Sequence, residues 1–86
     1  MYVVAYDISD NRERSKTVGV IEQYCRRIQK SVWVSDLTAG DMREMKAKLR
    51  ELGIGTGIID IWEASGVPQR IGEDDAFPLP APCHVV

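Results

Sequence analysis

The run YVVAYDI at Tyr2–Ile8 constrains this chain most. It is continuous, apolar and rich in β-branched and aromatic side chains, too short for a helix, and closed by the polar residues Ser9, Asp10 and Asn11. Such a run reads as a strand buried on both faces and central in its sheet. Yet an aspartate, Asp7, stands at its end. A lone buried carboxylate costs several kcal/mol unless something pairs with it, so Asp7 needs either an arginine or a cation beside it.

Asp10 needs no such partner. It precedes Glu13 by three residues, the D-x-x-E form of a capping box, and Val18, Ile21, Tyr24 and Cys25 then recur at helical spacing, which predicts a helix over about Asn11 to Tyr24. Gly19 within it points to close packing against a neighbour. The stretch RRIQKSVWVSDL alternates Ile28, Val32 and Val34 with Arg27, Gln29, Ser31 and Trp33, a period of two that predicts a strand, with a break near Ser31 dividing it into two shorter ones. Thr38 and Asp41 open a second helix carrying Met42, Met45, Leu49 and Leu52 on one face, and Gly53 stops it. TGIIDIWEA is a further strand, and Gln69–Ile71 an expected short edge strand. The order β-α-β-β-α-β with amphipathic helices predicts an α+β, ferredoxin-like sandwich with the extra edge strand at its C-terminal side. The domain is expected over 1–72 and a Pro-rich tail over 73–86, in which Phe77 and Leu79 make the segment apolar enough to dock on a partner or exchange between subunits.

At 86 residues the chain is near the lower limit for one core without staples. With only Cys25, Cys83 and a single histidine, His84, in no metal-ligand spacing, neither disulfides nor a one-chain zinc site is expected, so association with a second copy is. No apolar run approaches the roughly 18 to 20 residues that span a bilayer, and no secretory leader pattern opens the chain, so the expected location is cytoplasmic, away from membranes. The net charge of −2 hides a gradient. Residues 1–52 carry ten Lys/Arg against eight Asp/Glu, and residues 53–86 carry one against five. The basic half has a focus in Arg12, Arg14, Lys16, Arg26, Arg27 and Lys30, a cluster suited to holding phosphates.

No nucleophilic triad or P-loop pattern is present, and GIGTG at Gly53–Gly57 lacks the following Lys-Ser/Thr and reads as a loop. What remains is a carboxylate that holds a divalent cation among basic residues that receive phosphates, with Asp7 as the ligand.

The segments YDISDNRERSK at Tyr6–Lys16 and RIQKSVW at Arg27–Trp33 resemble the small CRISPR adaptation protein, the Cas-two family, over roughly residues 1–62. The resemblance implies a ferredoxin-like homodimer in which Asp7 of each subunit faces the two-fold axis and one Mg²⁺ sits between them. It implies metal-dependent endonuclease chemistry, most often endoribonuclease, on single-stranded RNA or duplex DNA. Carried onto this chain, Tyr6 and Asp7 match the strand-end pair, Arg14 a basic position of the first helix, and Arg27, Ser31 and Trp33 the second-strand arginine, serine and aromatic. Lys16 stands where an arginine is sometimes found, and Cys25 where a turn glycine is frequent. The resemblance further implies spacer acquisition: a dimer bridging the larger integrase subunits of CRISPR adaptation and holding foreign DNA by its phosphates. Two other readings compete, a toxin-like metal-dependent ribonuclease of the virulence-associated type and a ferredoxin-like ligand-binding regulatory domain.

Overall fold

In the computed structural model, residues 1–72 and 76–79 are described; residues 73–75 and 80–86, and with them Cys83, His84 and most of the Pro-rich tail, lie outside the described residues. The elements run β1 (Tyr2–Ile8), α1 (Asn11–Ile21), β2 (Arg26–Gln29), β3 (Val32–Ser35), α2 (Ala39–Glu51) and β4 (Gly57–Glu63). The four strands form one antiparallel sheet in the order β2-β3-β1-β4. This is the ferredoxin-like arrangement expected from the element order.

β1 is central, between β3 and β4, but it buries only one face in the single chain. Val4, Tyr6 and Ile8 point into the core, while Val3, Ala5 and Asp7 alternate to the other face, where Asp7 is exposed. The expectation of a strand buried on both faces, and of a buried Asp7, is therefore corrected. Both helices cover the same side of the sheet, so among the described residues no layer covers the reverse side of β1 and β4. On β4 that bare side carries Ile58 at 60% and Trp62 at 48% exposure.

The core gathers Val4, Tyr6 and Ile8 of β1, Ile21 of α1, Trp33 of β3 and Met42, Met45 and Leu49 of α2. Trp33 is thus an inward residue, on the helix side of the sheet. The expected alternation holds for Arg27, which lies directly across from Trp33, but breaks at Gln29, which pairs with Val32 instead of sharing the face of Arg27 and Trp33. A bulge between Arg27 and Gln29 and the turn at Lys30–Ser31 divide the predicted strand into two.

α1 ends at Ile21, earlier than predicted, because Tyr24 and Cys25 both donate their N–H groups to the Ile21 carbonyl in a closing turn. Gly19 marks no close packing: a Cβ there would meet nothing within 4 Å. α2 starts at the Thr38 cap, whose hydroxyl accepts from Asp41 N–H at 3.1 Å, and ends before Gly53, which takes a φ of 62°. The edge strand expected at Gln69–Ile71 does not form. Pro68 lacks an N–H for a ladder, Gly66 and Gly72 turn the chain with φ of 84° and 104°, and Ile71 projects fully into solvent.

Candidate functional site

Three elements meet at the C-terminal end of β1. An open cleft of about 700 Å³ there is lined by Tyr6, Asp7 and Ile8 of β1, Arg14, Ser15 and Val18 of α1, Arg27, Lys30 and Ser31 of the β2–β3 hairpin, and Phe77. Of the residues picked out from sequence, the structure gathers Tyr6, Asp7, Arg14, Arg27, Lys30, Ser31 and Phe77. Arg12 and Lys16 on α1 and Arg26 on β2 are exposed outside it, so the six-residue basic cluster divides in two. Leu79 lies apart, in a second cavity with Ile28, Gln29, Pro68 and Arg70.

The side chains of the cleft differ in how far they are committed. Arg14 donates from Nη1 to the Ile8 carbonyl at 2.8 Å and from Nη2 to Asn11 Oδ1, so it closes the end of β1 as well as lending charge. Arg27 donates from Nε and Nη2 to the Lys30 carbonyl at 3.0 and 2.6 Å, and from Nη2 to the Tyr6 hydroxyl at 3.3 Å. Tyr6 in turn donates to the same Lys30 carbonyl at 3.0 Å. The Arg27 guanidinium lies over the Trp33 ring at 5.0 Å and the Phe77 ring at 5.1 Å, a cation between two aromatic faces. The Trp33 indole N–H is buried with no acceptor among the described residues, so this ring acts through packing and its π face.

Asp7 is the exception. Its carboxylate carries no hydrogen bond or ion pair among the described residues, although Arg14, Arg27 and Lys30 line the same cleft. An arginine partner for Asp7, the structural explanation of a strand-end aspartate, is not what the fold provides. An exposed carboxylate without a partner among the described residues is a hard oxygen donor open to a divalent ion, and the cationic side chains of the cleft form a surface that attracts phosphate.

One residue that sequence reasoning did not weigh is Arg70, whose guanidinium donates to the Phe77 carbonyl at 2.6 Å and to the Ile28 carbonyl, holding Phe77 at the cleft. Its only signal was being the single basic residue of an acidic half. A second is Thr56, whose hydroxyl accepts from Asp10 N–H at 3.1 Å just behind β1.

A family model, CRISPR associated protein Cas2, matches residues 1–54, well over half of the chain and all of the cleft except Phe77. The chain belongs to the Cas2 family. Among its relatives, a CRISPR-associated endonuclease Cas2 of Thermus thermophilus is 30% identical over 81 residues, covering 93% of this chain and 87% of that protein. A CRISPR-associated endoribonuclease Cas2 of Synechocystis sp. is 38% identical over 52 residues, 60% of this chain, which spans only 56% of that protein's length. In three dimensions the Cas2 chain superposes on a hypothetical protein from Thermus thermophilus with a TM-score of 0.80 and 30% identity, over 93% of this chain and 95% of the other.

A Cas2 chain with Mg²⁺ needs oxygen ligands. Among the described residues no three His, Cys, Asp or Glu side chains converge, so these residues build no metal cage within one chain. The donor set still fits Mg²⁺, which is commonly held by one or two carboxylates with waters completing its octahedron. Asp7 would offer one such carboxylate, exposed and without a partner among the described residues.

Proposed function

We propose that this Cas2 protein acts as a homodimer in CRISPR spacer acquisition, bridging the larger integrase subunits and holding foreign duplex DNA by its phosphates, with a metal-dependent endonuclease site built on Asp7. The exposed Asp7 carboxylate at the end of the central strand, without a partner among the described residues and on a residue that borders a cleft lined by Arg14, Arg27 and Lys30, is the observation that carries the nuclease reading. The endonuclease and endoribonuclease names of the relatives support phosphodiester hydrolysis as the reaction class. Single-stranded RNA and duplex DNA are both accommodated by contacts that reach phosphates and not base edges.

The metal ligands in this reading are Asp7 and Asp7 of a second copy. Bound there, Mg²⁺ would supply charge neutralisation and water activation for hydrolysis. The chain's own side chains do the rest. Lys30 and the free edges of the Arg14 and Arg27 guanidiniums attract the phosphate backbone, and the backbone contacts of Arg14 and Arg27 fix where that charge stands. Tyr6, bonded on both sides, and Ser31, whose carbonyl accepts from Tyr6 N–H at 3.1 Å, hold the β2–β3 hairpin against the end of β1 that carries Asp7. Arg12, Lys16 and Arg26 extend the positive surface beyond the cleft, along the path of a longer duplex. Residues 1–72 form the domain, and the tail from 73 onward, with Leu79, is the segment that meets a partner; Phe77, held on its own chain, shapes the cleft wall.

Replacing Asp7 by alanine tests the nuclease part. Cleavage of RNA and of duplex DNA by the purified protein in Mg²⁺ is expected to fall by about a hundredfold or more, as for loss of a metal ligand. Undiminished cleavage would remove Asp7 from the site. Spacer capture by the same variant in cells separates the roles: capture without cleavage assigns the dimer a structural part in acquisition.

A further inference from the structure

We infer that Thr56 and Glu13 are positioning residues for Asp7, clamping the end of β1 to the head of β4. The inference rests on the reading of Asp7 as a metal ligand. Only Ser9 and Asp10 separate β1 from α1, and the last carbonyl of β1 and both N–H groups of this link are tied. Ile8 O accepts from Arg14 at 2.8 Å, Ser9 N–H donates to the Thr56 carbonyl at 3.1 Å, and Asp10 N–H donates to Thr56 Oγ1 at 3.1 Å.

Thr56 is itself held from α1. Glu13 Oε1 accepts from the Thr56 N–H at 2.9 Å and from the Thr56 hydroxyl, and Glu13 Oε2 accepts from the Gly55 N–H at 2.8 Å. Glu13 is fixed in place by the Asp10 carboxylate, which accepts from Glu13 N–H at 2.8 Å. The result is a closed ring, Asp10 to Glu13 to Thr56 and back to Asp10. Its one hydroxyl must accept from an amide and donate to a carboxylate at once, which only serine or threonine can do among side chains of this size.

The ring lies at the surface, where its bonds add little to the core but fix geometry. Among the described residues Asp7 has no side-chain partner to orient it, so its position is set by the backbone on which it stands. Mg²⁺ and Mn²⁺ sites require near-octahedral oxygen geometry, and for Mg²⁺ the bonds lie at about 2.0 to 2.1 Å. A strand end free to shift by tenths of an ångström would therefore weaken the site, and in a shared site both carboxylates would shift.

Mn²⁺ binding to the full-length chain, followed by the electron paramagnetic resonance of the free ion, reads this directly. Each variant is first shown to be folded, by its circular dichroism at a temperature well below its own melting transition, and to keep the parent's oligomeric state by light scattering. Thr56→Val is expected to raise the Mn²⁺ dissociation constant about tenfold, in the range found for groups that orient metal ligands. Thr56→Ser, which keeps the hydroxyl, is expected to restore the parent affinity. Glu13→Gln, which keeps Thr56, gives a second route to the same loss should Thr56→Val fail to fold. Parent-like Mn²⁺ binding by Thr56→Val and Glu13→Gln, with binding abolished by Asp7→Ala, would overturn the inference; so would a loss in Thr56→Ser as large as in Thr56→Val. Unchanged binding by Asp7→Ala would instead overturn the metal reading on which the inference stands.

Discussion

Glu13 shows how one side chain can be read correctly in type and wrongly in partner. The D-x-x-E spacing predicts a reciprocal capping box, and Asp10 does cap α1 by accepting from Glu13 N–H. Glu13, however, does not return to Asp10 N–H; it crosses to the loop before β4, and Thr56 Oγ1 takes the Asp10 N–H in its place. These bonds, first the Thr56 hydroxyl and then the Gly55 N–H, hold the Glu13 carboxyl below its usual range, with Lys16 adding to the effect. A carboxylate depressed in the folded state stabilises the fold above its unfolded pKa, and that contribution is lost as pH falls through the lower, folded value. Glu13→Gln is therefore expected to lower the melting temperature at pH 7. The gap to the parent should narrow once pH drops below the ordinary glutamate value of 4.5 and close below the lower, folded value, where the parent's Glu13 is protonated in both states. Thermal melts of both proteins across acid pH check this; a gap that widens toward acid would contradict it.

At the scale of elements, the β1–β4 pairing depends on a single glycine. Gly57 opens β4 directly across from Ile8, and a Cβ there would press into the Asp7 carbonyl oxygen and stand 2.6 Å from Ile8 Cα and 2.8 Å from Asp7 C. All three are backbone atoms, so no side chain can move aside. Gly57→Ala must push β4 off β1, at an expected loss of about 3 kcal/mol, the upper part of the usual range for overpacking; urea unfolding measures it, and a loss below about 1 kcal/mol would mean that the strands adjust freely. Sequence pattern reached the elements because hydrophobic period and turn residues act locally. β1, α2, β4 and the broken hairpin strand all follow from spacing, and Thr38, Gly53 and Asp10 mark their own ends. It failed where local signals were indifferent. Tyr24 and Cys25 fit the helical spacing of α1 equally well as residues of a closing turn, and period two sorts Trp33 from Ile28 without saying which group faces the helices. Much of the site was legible for the same local reason, since Asp7, Arg14, Arg27 and Lys30 fall on neighbouring elements joined by short links. The Glu13–Thr56 contact spans 43 residues and leaves no periodic trace, and nothing in the sequence alone distinguishes Arg14 as a residue closing β1 from Arg12 as an exposed charge.

At the scale of the molecule, the fold is an unfinished sandwich. Both helices lie on one side, the whole particle is 17 Å across its thinnest direction, and the reverse side of β1 and β4 presents Val3, Ala5, Ile58 and Trp62 beside Asp7 and Asp60. Exposed apolar groups gathered on one sheet face mark an interaction surface. A second copy meeting that face would bury Ile58 and Trp62 and bring Asp7, which lies on the same face of the sheet, toward its counterpart. This is the arrangement the proposed two-carboxylate site needs, and it makes oligomeric state and metal binding depend on one surface. Trp62→Glu places a carboxylate where the contact would be dry, and desolvating it there is costly. The dimer is expected to weaken by at least about a hundredfold, roughly 2.7 kcal/mol, in sedimentation equilibrium, while the circular dichroism of the monomer stays unchanged because Trp62 lies outside the core. Cleavage should fall together with the dimer and recover at protein concentrations high enough to restore it. A Trp62→Glu protein that remained dimeric with parent affinity would locate the subunit contact elsewhere, and a monomeric variant with full cleavage would mean that one Asp7 suffices.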